Sequence, residues 1–88
     1  MNTSAEALRL LRLAQAETQQ AGAIIDDLIA PHDYQDVASV VAKASAALLD
    51  SAIRMLESNP DAALEALETA DDLLDAVYDI IDSETDED

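Results

Sequence analysis

Apolar residues recur along this chain at steps of three and four, the spacing that lines one face of an α-helix. Leu11, Ala14, Thr18, Ala21, Ile25 and Leu28 form the first such row, which runs to Ala30 and stops at Pro31. Thr3 followed by Glu6 has the form of a capping box and predicts a helix start near Ser4. Leu8, Leu10, Leu13, Ile24 and Ile29 widen that apolar face beyond a narrow seam, so this helix is expected to meet more than one neighbour. A second row follows the Pro31-His32 connection, with Asp33 as its expected N-cap. It comprises Val37, Val40, Val41, Ala44, Ala47, Leu48, Ala52, Met55 and Leu56, and Ser39, Ser45 and Ser51 among them allow a neighbouring helix to come close. Ser58-Asn59-Pro60 ends it, and Asn59 as N-cap with Pro60 at the first helical position starts a third helix. Ala63, Leu67, Ala70, Leu74, Val77 and Ile81 are its predicted buried seam, joined by Leu64, Leu73 and Ile80.

These elements predict an all-α fold: one domain over residues 1–82, an antiparallel three-helix bundle with long helices (about 4–30, 34–58 and 60–82) and short turns. Residues 83–88 contain no apolar side chain and are expected to form a disordered acidic tail. The bundle is either complete in one chain or completed by dimerisation through the wide face of the first helix, giving a homodimer.

Composition sharpens this. Of 88 residues half are apolar, and Gly22 is the one glycine. Cysteine is absent, so disulfides and thiolate metal sites are excluded. No apolar run reaches the roughly 18–20 residues that a bilayer requires, and the N-terminal stretch lacks a signal-peptide core. A soluble cytoplasmic protein is the resulting expectation. The net charge of −16 disfavours direct binding to nucleic acid or to anionic membrane, because affinity for phosphate comes from cations.

That charge is concentrated. Residues 57–88 hold thirteen acids and no Lys or Arg, whereas residues 1–56 hold seven acids and all four bases. Asp61, Glu65, Glu68, Asp72, Asp75, Asp79 and Asp82 alternate steps of four and three, which places seven carboxylates along one helix face, with Asp71 beside them. Like charges at that spacing oppose helix formation, and acids near a helix C-terminus also oppose its dipole.

Candidate chemistry is sparse. Asp71-Asp72-Leu73-Leu74-Asp75 matches the DDxxD pattern that holds Mg²⁺ against a diphosphate in isoprenoid diphosphate enzymes. Those enzymes enclose their substrate in a large helical cavity lined with cations, which 88 residues cannot build. Solvated acids are the better reading. His32 stands alone in a turn without partners for catalysis or ligation, and no Gly-rich phosphate loop exists. Residues 52–62 resemble a junction between tetratricopeptide repeats, but the rest of that repeat is missing. No enzymatic activity, metal or cofactor is expected.

Two functional readings follow. In the first, Asp61, Glu65, Glu68, Asp71, Asp72, Asp75, Asp79 and Asp82 occupy a basic surface on a nucleic-acid-binding protein. In size, charge and composition the chain is similar to the small acidic inhibitors of nucleic-acid enzymes, including anti-CRISPR and antirestriction proteins. That similarity rests on no motif, and it implies a nucleic-acid-mimic type of inhibition. In the second reading the chain is a self-associating helical adaptor or small chaperone. Leu11, Ile25, Val41, Leu48 and Met55 then carry the contacts, and the acids serve solubility or a halophilic adaptation.

Overall fold

A computed structural model describes residues 3–85. It contains three helices, α1 (Ser4–Asp26), α2 (Gln35–Leu56) and α3 (Pro60–Thr85), and no strand among the described residues. The all-α three-helix fold is therefore as the periodicity requires.

Local signals set most of the boundaries. Thr3 caps α1, its Oγ1 accepting the Glu6 backbone N–H at 3.2 Å. The Glu6 carboxylate does not complete the box: it binds Arg9 at 2.7 Å, which holds that guanidinium above its ordinary pKa against a smaller effect of desolvation. The α1 helix ends at Asp26, four residues before the expected end at Ala30. Its last carbonyls find partners there, Ile24 O from the Asp27 N–H and Ile25 O from Gln35 Nε2 at 2.8 Å. Two consecutive acids, Asp26 and Asp27, also face the negative end of the dipole, which disfavours continuation. Leu28 and Ile29 consequently lie in the connection, exposed.

The N-cap of α2 is Tyr34 rather than Asp33, and no side chain caps it. Its C-terminus closes in a Schellman arrangement, with Ser58 N–H bonded to Met55 O and Asn59 N–H to Arg54 O. Ser58 sits at φ 60°, where glycine is the usual residue. Asn59 then caps α3 as expected, its Oδ1 accepting the Ala62 N–H at 3.3 Å. The α3 helix continues past residue 82 to Thr85, so the start of the expected tail is helical; residues 86–88 lie outside the described range.

Packing is arranged around α2. It lies against α1 and against α3, while α1 and α3 do not touch each other among the described residues. The bundle is thus open, a layer of three helices with α2 in the middle, extending 53 × 28 × 20 Å. Its radius of gyration, 15.4 Å, exceeds the value of about 12 Å expected for a compact chain of this length.

Three rows at seven-residue spacing on α2 explain the layer. Ser39, Ala46 and Ile53 are buried toward α1: Ser39 Oγ donates to the Asp26 carboxylate, and the Ala46 carbonyl accepts Gln15 Nε2 at 3.2 Å. Val37, Ala44 and Ser51 are buried on the other side, toward α3. Val41, Leu48 and Met55 form a third row that is left at 41–54% exposure. That third row was expected within the seam. Two opposed rows of small residues admit a helix on each side, and the larger row between them has no neighbour.

Small side chains also dominate the facing rows. Ala63 and Ala70 are fully buried on α3, together with Ala66 and Val77. Leu67 and Leu74 are half-buried, and Leu64 and Ile81 are exposed. On α1, Gly22 is buried against Ala42, while Ala21 of the predicted seam is exposed, as is Leu28 in the connection. No large side chain is fully buried among the described residues.

Candidate partner-binding surface

The acidic row is built by the same geometry that buries the alanines. At about 100° per residue, Ala63, Ala66, Ala70 and Val77 face α2, and Asp61, Glu65, Glu68, Asp72, Asp75, Asp79 and Asp82 fall on the opposite side. All seven are exposed, and so is Asp71 on the flank of the row. They therefore occupy the outer edge of the helical layer. From Asp61 to Asp82 the edge is about 32 Å long at 1.5 Å per residue.

Each of the four Lys and Arg side chains is paired with an acid off this row. Arg9 binds Glu6, Arg12 binds Glu57, and Lys43 lies 3.7 Å from Asp26. Arg54 contacts both Asp50 at 3.5 Å and Glu57 at 3.1 Å. Among the described residues, Asp61, Glu65, Glu68, Asp71, Asp72, Asp75 and Asp79 have no ion-pair partner. The cations gather instead on α1 and α2. From Asp61 to Asp79 the edge is therefore negative with no cation paired to it among the described residues, and its field points into solvent.

Successive carboxylates of the row advance about 5 Å along the axis. A single strand of B-DNA advances ~3.4 Å per phosphate. The edge thus has roughly two-thirds the linear charge density of one strand, with Asp71 thickening its centre. It can attract a basic cleft electrostatically without reproducing the spacing of a duplex.

Asp71, Asp72 and Asp75 point to solvent, and no group of three or more His, Asp or Glu side chains among the described residues is arranged to hold a metal ion. His32 is a turn residue whose Nδ1 accepts the Tyr34 N–H at 3.1 Å, which fixes the start of α2 locally. A groove of about 650 Å³ runs between α1 and α2, with Gly22 and four alanines along it and Gln15, Gln19, Asp26, Lys43 and Asp50 at its border. Its Lys43 and Asp26 are already paired. No described helix is long and apolar enough to cross a membrane.

One surface was misassigned by periodicity. Val41, Leu48 and Met55, read as seam, lie open, as do Leu10, Leu13 and Ile24 of α1. The excess width of the apolar face on α1 was the available signal.

Comparison with protein-family models, characterised proteins and solved structures finds no match.

Proposed function

We propose that this is a non-enzymatic binding protein whose α3 edge docks on a basic, nucleic-acid-binding surface of another protein. The observation that carries the reading is the pairing of all four Lys and Arg away from the row. A solvated helix face ordinarily interleaves bases, which recovers the repulsion between acids three and four apart. Here the bases are spent elsewhere, and an external basic surface would supply what the chain withholds.

The mechanism is competition. The carboxylates take positions that substrate phosphates would occupy, and opposite charge accelerates encounter. The long, stiff helix presents its charges without ordering a loop, so little conformational entropy is lost on docking.

The test is capture from cell lysate at low salt, followed by stepwise salt elution in the presence or absence of duplex DNA. A nucleic-acid-binding protein released at moderate salt and displaced by DNA supports the reading. A partner that stays through high salt and ignores DNA contradicts it.

A further inference from the structure

We infer that the open apolar face of the helical layer is a homodimer interface, in which α2 of one chain lies on α2 of its twin. On α2, Val41 and Leu48 lie roughly 140–160° around the helix from Lys43, which borders the groove between α1 and α2. On α1, Leu10 and Ile24 lie roughly 140–180° from Gln19 on that same groove. Both pairs therefore emerge on the side of the layer opposite the groove. All four side chains are at least 41% exposed.

Area identifies the occupant. The chain exposes 6286 Å², whereas a compact monomer of 9.4 kDa exposes about 5,000 Å². The excess, roughly 1,300 Å², is more than the ~800 Å² per partner that a standard stable interface buries. A layer with no fully buried large side chain among the described residues has this face uncovered from the moment it folds, and a second copy is the partner present at that moment. Two layers stacked on their apolar faces form the two-layer core that one chain lacks.

Charge fixes the arrangement. Each copy carries −16, so the two acidic edges must stay apart. A two-fold axis parallel to α2 stacks α3 over the partner's α1 and sends the acidic edges to opposite rims of a layer 28 Å wide. That separation exceeds the screening length of about 8 Å at physiological ionic strength. The edges remain open to other partners.

This inference does not rest on the acidic-edge reading, and salt separates the two. Dimerisation should hold or strengthen as salt rises, while edge binding falls. Sedimentation equilibrium of the intact chain should give twice the 9.4 kDa monomer mass at tens of micromolar. The chain has no cysteine, so single cysteines report the interface directly. Ser45→Cys, at the midpoint of α2 on the apolar side, should cross-link between copies on mild oxidation; Gln19→Cys, in the groove, should not. Leu48→Glu should weaken the dimer roughly 30-fold or more. A 9.4 kDa species at every concentration and salt, or cross-linking through Gln19→Cys rather than Ser45→Cys, overturns the inference.

Discussion

Replacing Glu68 with Gln and Asp75 with Asn should make the protein more stable while weakening its binding. Each of these acids has three like-charged neighbours three or four residues away: Glu65, Asp71 and Asp72 for Glu68, and Asp71, Asp72 and Asp79 for Asp75. The double substitution removes six repulsive pairs of ~0.2–0.5 kcal/mol each, about 1–3 kcal/mol in total. Other terms are small. Gln and Asn match Glu and Asp in helix propensity, and Asp75 lies nearly three turns before Thr85, beyond the reach of the C-terminal dipole. Both side chains are exposed, so no packing changes. With an unfolding entropy of about 2.1 cal/mol/K per residue, the gain corresponds to a Tm increase of roughly 5–15 °C for a chain this long. Circular dichroism at 222 nm at 10 mM salt measures it. The same melts at 0.5 M salt should show a much smaller difference, because the repulsion is screened in the parent. An unchanged or lower Tm at low salt would mean that the row is compensated by something other than solvent, and the reasoning would fail.

Four further outcomes follow from the packing and caps. Gly22→Ala should stabilise by about 1 kcal/mol: a methyl group there meets Ala42 Cβ at 3.6 Å, an ordinary contact, and alanine favours the helix. A melt that falls would show that α1 and α2 need the glycine to approach. Ser58→Gly should raise stability by about 0.5–1 kcal/mol by relieving the left-handed backbone at φ 60°, measured by urea unfolding. Asn59→Ala should cost about 1 kcal/mol through loss of the α3 cap, with Pro60 still marking the start. Ala70→Leu should cost about 1–3 kcal/mol, since that position is fully buried against α2; a neutral result would place the α2–α3 seam elsewhere.

The parts of the structure legible in the sequence are those decided within a turn or two of helix. Thr3 and Asn59 mark helix starts by accepting the backbone N–H three positions on, and Pro60 marks the third by its fixed φ at the first helical position; all three were readable. The acidic row depends only on residue spacing within α3, so its exposure on one edge was readable too. The end of α1 was not, because Gln35, nine residues beyond Asp26, supplies a decisive partner to its last turn. Nor was the sidedness of α2. Its apolar residues surround most of the helix, and spacing cannot say which of the rows 37/44/51, 39/46/53 and 41/48/55 meets a neighbour. Residue size decides that: the rows holding Ala44, Ser51, Ser39 and Ala46 permit close approach, and the Val41, Leu48, Met55 row is left open. Gly22 belongs to the same logic, a small residue buried where a larger one was sought.

The central claim is that the α3 edge binds through its charge, and the most direct test compares the parent chain with the Glu68→Gln, Asp75→Asn variant. Both are immobilised at equal density, exposed to the same lysate at low salt, and eluted by rising salt. The account predicts that the nucleic-acid-binding partner elutes from the variant at clearly lower salt, or fails to bind. Elution of the same partner at the same salt from both surfaces would contradict it.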